Sequence, residues 1–342
     1  MKNLLKVTTV LITLALVTSG CASKAKTTTT PTVNNSTSTH VATVVKFGFV
    51  DSGKSFPTGL LGVAKEKGYI EEELKKIGVT LQLVPFVGAG PAINEALASK
   101  SIDIGNLGDV PAVLGKSAGI DTTIIASGGI VNDAALVVPV GSKITSIKEL
   151  KGKKVATMKG SYMHRTLIEM LKANGLTVND IQFINMTAPD AEAAIISKAV
   201  DATVNPAANA QRLVLKKAGK IILDCSKNPE WKGASAIESR TSFVKDNPAI
   251  ITAIINGLNK AKKFEDASPD EAKTIWAKSG TTKEINDLVF PDNKFGDDLI
   301  IGSEFLARFN AVNQFLLDNK LTKTSADINK WSDNSYYEKS IK

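Results

Sequence analysis

Cysteine and histidine are both scarce in this sequence, and their scarcity excludes several kinds of site. The 342 residues include two cysteines, Cys21 and Cys225, and two histidines, His40 and His164. The sequence contains no G-x-S-x-G motif and no pair of residues with metal-ligand spacing, so neither a serine hydrolase of that kind nor a metal site is predicted. The fragment "GAG" at 88–90 lacks the third glycine of a dinucleotide fingerprint, and no cofactor is expected.

Charge of one sign never accumulates in a block. The formal net charge is +8, and it becomes 8 − 2 = +6 without Lys2 and Lys6, which lie in a segment that we predict is removed. Because the positive residues are spread along the chain, nucleic acid is not a predicted partner. The hydrophobic fraction of 43% and the charged fraction of 22% are typical of a soluble globular protein, and the length allows about two domains.

The first twenty residues have the organisation of a secretory signal. Two lysines precede an apolar run at residues 7–17, which is too short to span a bilayer comfortably. The sequence "TSGC" at 18–21 resembles a bacterial lipobox, in which the cysteine becomes the lipidated first residue of the mature protein. We therefore predict a signal peptide at 1–20 and a lipid anchor on Cys21, which would hold the protein at the extracytoplasmic face of the cell membrane. A plain signal peptide with an incidental cysteine is the alternative.

The segment after the lipobox has the composition of a tether. Segment 21–43 consists of the lipobox cysteine and residues 22–43, which are nearly all Thr, Ser, Asn, Lys and Pro and cannot bury enough apolar surface to offset chain entropy. We predict a flexible tether there, and His40 falls inside it. That leaves His164 as the only histidine of the folded part. Cys225 follows an apolar run and is predicted to be a small buried thiol.

A repeated sequence pattern indicates two domains with the same order of strands and helices. Helical patterns alternate with short apolar strands, which predicts α/β layers. "SKSID" at 99–103 and "SKAVD" at 197–201 each follow a strand, a loop and a helix, and each precedes another strand and helix. We predict two α/β domains joined by a strand hinge, with a helical C-terminal tail. Domain 1 would comprise 44–131 plus 237–342, and domain 2 would comprise 132–236. The alternative is that any strand–helix–strand unit resembles any other.

The predicted ligand site lies at the loops that follow the strands. In such domains ligands bind beyond the carboxyl ends of the strands, and most of these loops open a helix with small or polar residues. A helix start leaves backbone N–H groups unpaired and carries a partial positive charge, which suits an anionic group. The candidate ligand-binding residues are Ser52, Gly53, Gly88, Gly90, Asn106, Asp109, Gly160, Ser161, Tyr162, His164 and Asn205. Asp109 is also predicted to cap a helix.

The most specific hypothesis about ligand binding concerns one of these helix starts, "MKGSYMHRTL" at 158–167. Ser161 is the expected cap of a helix that runs to about Asn174, and His164 lies in its first turn. We hypothesise that Ser161 and the N–H groups of Tyr162 and Met163 hold an anionic or strongly polar ligand group. The alternative is an ordinary capped helix with a half-buried histidine.

Several segments resemble a known family. The lipobox, "GDVP" at 108–111, "ITSIKELKGKKVATMKGSYMH" at 144–164 and the "DA" repeats resemble substrate-binding lipoproteins of ABC importers, in the group that binds aliphatic sulfonates, taurine or nitrate. The resemblance runs from about residue 44 to 244, and more loosely through the tail. It implies a type II periplasmic-binding fold, with a small anionic or polar solute in the interdomain cleft and contact between the Gly160–Ser161 turn and the solute's acid group. It also implies a non-catalytic protein, expected to be a monomer, whose partners are permease and ATPase subunits.

The sequence departs from that group at "NPAAN", residues 205–209. Sulfonate binders of the group often have an aromatic residue and an acid there, so this pocket is expected to be smaller or more amide-lined. Nitrate, taurine, a thiamine-precursor-like heterocycle or another small acid therefore remain open beside an alkanesulfonate. Two other classes also remain open. One is an enzyme on the same fold, resembling pyrimidine-precursor synthases, in which His164 would take part. The other is a ligand-sensing or adhesive surface lipoprotein.

Overall fold

Two five-stranded sheets organise the chain. The computed structural model describes residues 43–130 and 133–342, so the predictions for the signal peptide, Cys21 and His40 lie outside the described residues. The strands are β1 (Val44–Val50), β2 (Thr80–Phe86), β3 (Ile104–Gly108), β4 (Thr122–Ser127), β5 (Ala134–Pro139), β6 (Lys154–Thr157), β7 (Gln182–Asn185), β8 (Ala202–Pro206), β9 (Gly219–Asp224) and β10 (Ser235–Arg240).

Helices connect the strands and make up most of the C-terminal third. They are α1 (Gly59–Lys67), α2 (Tyr69–Lys75), α3 (Ala89–Ala98), α4 (Asp109–Ser117), α5 (Tyr162–Ala173), α6 (Ala188–Ile196), α7 (Ala207–Leu215), α8 (Thr241–Asp246), α9 (Pro248–Ala267), α10 (Pro269–Trp276), α11 (Lys283–Val289), α12 (Ser303–Asp318), α13 (Ile328–Trp331) and α14 (Ser335–Ser340). Within the described ranges, none of them combines the length and the apolar character needed to cross a membrane.

The two sheets have the same topology. Their strand orders are β2-β1-β3-β10-β4 and β7-β6-β8-β5-β9. In the first sheet, β10 runs antiparallel to β3 and β4, and in the second sheet β5 runs antiparallel to β8 and β9. Each of these antiparallel strands is the first one that the chain forms after crossing from the other sheet. The predicted α/β plan with a repeated unit is confirmed, although one strand of each sheet runs against the others.

Each sheet forms a lobe with helices on both faces. The first lobe (residues 43–130 and 235–342) has one core around Phe47 and Ile254 of α9, and another around Leu107, with Phe305 and Phe309 of α12. The second lobe (residues 133–234) packs α5 on one face of its sheet, and α6 and α7 on the other. The C-terminal helices therefore cover the first sheet. Cys225 is a fully buried free thiol, as predicted.

Candidate ligand-binding cleft

A cavity of about 340 Å³ is lined by residues of both lobes. From the first lobe it is lined by the loop after β1, by the carboxyl end of β3 and by residues in and near α10 and α11. From the second lobe it is lined by the first turns of α5, α6 and α7. These walls include the loops beyond the carboxyl ends of β1, β6 and β8, where the sequence predicted the site.

The N-terminus of α5 forms a polar part of the cavity wall. Gly160 has a φ of 74°, and this left-handed residue turns the chain out of β6 into the helix. The His164 N–H donates to Ser161 Oγ over 3.3 Å, so Ser161 caps α5 as predicted. The Ser161 hydroxyl itself donates to Met158 O at 2.6 Å. Because that proton is committed, the N–H groups of Tyr162 and Met163 are the donors available to a ligand.

Five of the predicted ligand residues line this cavity, and six do not. Those in the wall are Ser52, Gly90, Asn106, Ser161 and Tyr162. Those outside it are Gly53, Gly88, Asp109, Gly160, His164 and Asn205. The structure therefore brings the α5 cap together with the loops after β1 and β3, at one site.

Asp109 is not the cap of α4, because Gly108 occupies the N-cap position. The Asp109 side chain is fully buried, and its oxygens accept hydrogen bonds from Val110 N at 2.7 Å and Ala234 N at 2.8 Å. Arg165 Nη2 of the second lobe lies 3.8 Å from Asp109 Oδ2. Burial raises the pKa of Asp109, while the Arg165 charge opposes that shift. Asp109 therefore joins the two lobes and makes no contact with the cavity.

His164 is buried behind the cap, with 7% of its surface exposed. Its Nδ1 accepts a hydrogen bond from Gly160 N at 3.4 Å, and its ring lies 5.1 Å from the ring of Phe183. Burial, with a smaller contribution from the Lys159 charge, lowers the pKa of His164 to about 4. The imidazole is therefore neutral at pH 7, and it is more deeply buried than the half-buried position that the sequence suggested.

The other predicted residues outside the wall have backbone or packing positions. Asn205 is 1% exposed within β8, paired with Ala135 of β5, and its Nδ2 lies 3.5 Å from Ala188 O. Gly53 and Gly88 lie in the loops that lead into α1 and α3. Their neighbours, and not the glycines themselves, form the cavity wall.

Sequence reasoning missed Arg212, the only lysine or arginine in the described lining of the cavity. Arg212 Nη1 lies 2.7 Å from Glu192 Oε2, and its Nη2 donates to Gly280 O of the first lobe at 2.9 Å. A local signal existed, because Asn209 and Arg212 are three residues apart on α7 and share a face. The aromatic residues Trp276 and Phe290 were also missed, because they come from helices far along the chain.

Two carboxylates in the cavity wall already have partners. Asp51 Oδ1 accepts hydrogen bonds from the backbone N–H groups of Lys54 and Ser55, so it stabilises its own loop. Asp133 Oδ2 lies 3.2 Å from Lys232 Nζ, and burial raises the pKa of Asp133. Arg212 and the α5 N-terminus are thus the features that favour negative charge in a ligand. Among the described residues, no group of three or more potential ligands is arranged to hold a metal ion.

The fold and the cleft place the chain in a known class. Residues 58–272 match the model of the family described as NMT1/THI5 like, and the chain belongs to this family. The architecture of two lobes with a helical C-terminal region is the periplasmic-binding fold.

Individual relatives are solute-binding proteins by name. A Bacillus subtilis (strain 168) protein named "Putative aliphatic sulfonates-binding protein" is 26% identical over 284 residues, which are 82% of this chain and 84% of the relative. The taurine-binding periplasmic protein of Escherichia coli (strain K12) is 30% identical over 211 residues, covering 60% of this chain and 62% of the relative. A crystal structure from Methylobacillus flagellatus KT, titled "putative sulfonate ABC transporter, periplasmic sulfonate-binding protein SsuA", matches with a TM-score of 0.73 and 26% identity. It covers 88% of this chain and 94% of that chain.

Proposed function

We propose that this protein is the solute-binding component of an ABC importer and that it binds a small anionic or polar solute between its lobes. Sulfonates, taurine and nitrate are the first candidates. The family and the named relatives support an importer role. Delivery would be to a permease driven by an ATPase. The monomeric protein would work at the extracytoplasmic face of the membrane, held there by a lipid on Cys21.

One observation carries the proposal. The free N–H groups at the start of α5 and the guanidinium of Arg212 line the same cavity, whose walls come from both lobes. A hydrogen bond to a charged group is worth about 1.5 to 3 kcal/mol. Groups of this kind that are already in place bind an anion without a large cluster of cations.

The enzyme alternative depended on His164, and nothing in the cavity favours it. The imidazole lies behind Ser161, outside the cavity wall, with its Nδ1 bonded to Gly160 N. We therefore propose a binding function for the cleft and no reaction at His164.

A binding screen with one matched pair of variants tests this function. Thermal-shift assays with sulfonates, taurine, nitrate, amino acids and heterocycles would identify ligands, and calorimetry would measure their affinity. We expect Arg212→Gln to weaken the binding of an anion about tenfold to a hundredfold, because one charge-assisted bond is lost.

Lys216→Gln is the control for this substitution. Lys216 lies on the same helix and also pairs with Glu192, at 3.2 Å, but it does not line the cavity. Its loss should change the affinity less than twofold. Failure of every solute class to bind would refute the proposed function, and equal affinities of Arg212→Gln and the parent would refute the proposed anion site.

A further inference from the structure

Exposed lysines gather at the end of the second lobe that lies opposite the cleft. The strands β6, β7, β8 and β9 all begin at this end, because they run in one direction and β5 runs against them. The helices α5, α6 and α7 return towards it, and residues 140–153 cross it from β5 to β6. We call this surface the basic end. Its ten exposed lysines are Lys143, Lys148, Lys151, Lys153, Lys154, Lys172, Lys198, Lys216, Lys217 and Lys220.

The fold gathers charges that are spread out along the sequence. Residues 133–234 contain 15 lysines and arginines and 9 aspartates and glutamates, a formal charge of 15 − 9 = +6. The first lobe (residues 43–130 and 235–342) contains 23 and 25, a formal charge of 23 − 25 = −2. Because the two sheets have the same topology, the first lobe is an internal reference. The comparison indicates that the fold itself does not require a basic end.

Most of this positive charge is not neutralised within the protein. Among the described residues, the lysines of the basic end that form ion pairs are Lys151 and Lys216. The acidic side chains nearby are few, and Glu149 and Asp201 accept hydrogen bonds from backbone N–H groups. Four of the ten lysines lie in or just after the last turn of a helix, where a cation balances the helix dipole, and six do not. The basic end therefore favours an anionic partner.

The cations of the basic end are all lysines. A lysine is a compact, hydrated point charge, whereas an arginine forms paired hydrogen bonds with a single phosphate or carboxylate. Five strands at a spacing of about 4.8 Å make this end about 20 Å wide. Charges of this kind, spread over such a width, suit many anionic groups at once better than a single bound anion.

Exposed aliphatic side chains lie among the lysines. Val140 is 47% exposed, Ile196 is 48% exposed and Leu215 is 40% exposed. Val140 follows β5 directly, and the other two are the last residues of α6 and α7. An anionic polymer dissolved in water would not remove these side chains from water. A phospholipid surface supplies anionic head groups for the lysines and an apolar boundary for the aliphatic side chains.

We propose that the basic end docks the second lobe on an anionic phospholipid membrane, with Val140, Ile196 and Leu215 at the acyl boundary. Docking leaves the cavity open, because the cavity lies beyond the opposite ends of β6 and β8. It depends neither on the solute nor on a lipid at Cys21. The 22 residues at 22–43 can span up to about 75 Å, so a lipid anchor also permits this contact.

Vesicle binding tests the docking surface. The protein to use is the mature chain, residues 21–342, with Cys21→Ser, because it has neither the apolar run at 7–17 nor a lipid. Its partition coefficient should be at least about tenfold higher on vesicles with about 30% phosphatidylglycerol than on pure phosphatidylcholine. On the anionic vesicles it should fall at least about fivefold between about 50 mM and about 200 mM salt. Equal binding to the two kinds of vesicle would overturn the proposal.

A quadruple variant locates the contact. Lys148→Gln, Lys153→Gln, Lys154→Gln and Lys220→Gln together remove four exposed lysines that form no ion pair among the described residues. A lysine next to an anionic membrane strengthens binding about fivefold. We therefore expect this variant to bind the anionic vesicles at least about thirtyfold more weakly than the parent.

The control removes the same charge from the first lobe. Lys75→Gln, Lys100→Gln, Lys320→Gln and Lys323→Gln change four lysines that are likewise exposed and without ion pairs among the described residues. This variant should bind less than about threefold more weakly than the parent. Equal losses in the two quadruple variants would show that net charge, and not the basic end, determines binding. If either variant fails to fold, the preference of the parent for anionic vesicles still decides the outcome.

The aliphatic side chains distinguish a membrane from a dissolved polyanion. The double variant Ile196→Gln and Leu215→Gln should bind anionic vesicles at least about fivefold more weakly and bind linear polyphosphate unchanged. If polyphosphate binds through the lysines and anionic vesicles do not, the partner is a polymer and membrane docking is wrong. None of these measurements involves the cleft, so the proposed solute-binding function stands or falls separately.

Discussion

At the scale of single residues, the neighbours of a charged side chain decide its role. Arg165 is 2% exposed, and its Nη2 donates to Lys232 O at 2.6 Å. It lies 3.8 Å from the equally buried Asp109, so both charges are used within the protein. Arg212 keeps one face on the cavity although it also pairs with Glu192. For this reason we propose that Arg212 binds the ligand and that Arg165 and Asp109 have structural roles.

His164 gives a prediction about stability and pH. Its pKa is about 4 in the folded protein and near 6.5 in an unfolded chain, because burial disfavours the charged ring. Above pH 6.5 both states are neutral and His164 has no effect. Below that pH the unfolded state binds a proton that the native state does not, so stability falls as the pH drops from 6.5 towards 4. The loss should reach about 3 kcal/mol.

Urea unfolding of the parent and of His164→Gln, at pH 7.5 and at pH 4.5, measures this loss. The variant should lose less stability than the parent between these two conditions. Burial also raises the pKa of Glu238, to about 7, which acts in the opposite direction, but it affects both proteins equally. Equal losses in the two proteins would show that His164 is not held neutral.

At the scale of elements, α5 could be predicted because its signals are local. A glycine–serine turn followed by a stripe of apolar residues specifies the start, the cap and the buried face of a helix within a dozen positions. The repeat of "SKSID" as "SKAVD" likewise predicted that the two sheets share a topology. Arg212 and Trp276 could not be placed beside Ser161, because tertiary packing brings their helices to the cleft.

The dependence on tertiary packing also explains why some predicted residues lie outside the cavity wall. Asp109 follows β3 at a helix start, which is where a ligand contact or a cap is expected. Only the structure reveals that Arg165 Nη2 and Ala234 N both lie next to Asp109 Oδ2. Gly90 does line the cavity, and the packing there requires glycine, because a Cβ would lie 2.3 Å from Pro111 Cγ.

The start of α5 gives a prediction for charge at the cap. Asp and Asn both cap helices well, so Ser161→Asp and Ser161→Asn should each retain the α5 helix. Asp would also place a carboxylate where an anion is proposed to bind. We expect Ser161→Asp to bind an anionic solute at least a hundredfold more weakly than Ser161→Asn, as measured by calorimetry.

The Asn variant is the matched control, since it differs from Asp by charge and hardly at all by size. Thermal unfolding should give similar midpoints for the two variants, and a neutral ligand from the screen should bind both equally. If both variants bind the anion with the same affinity, the ligand's charge does not lie at the α5 N-terminus.

At the scale of the whole molecule, the two crossings between the lobes are hydrogen-bonded to each other. Gly128 N donates to Ser235 O, and Ser235 N donates to Gly129 O, both at 2.8 Å. Gly129 has a φ of 105°, a backbone conformation that few other residues adopt. On the cleft side, the Arg212–Gly280 hydrogen bond joins the lobes directly. We propose that the lobes move as two domains about the paired crossings, and that this bond belongs to the closed form.

Closure about such a hinge predicts a change in size on binding. A ligand held by groups from both lobes binds the closed arrangement more tightly than the open one. The difference between these two binding free energies is the amount by which the ligand favours closure. The radius of gyration from small-angle X-ray scattering should therefore fall when a ligand found in the screen is added to saturation. Arg212→Gln lacks one contact across the cleft and should be larger than the parent without ligand, whereas Lys216→Gln should match the parent. If calorimetry demonstrates full occupancy and the radius of gyration of the parent stays the same, the lobes do not close on the solute, and the cleft binds as a rigid site.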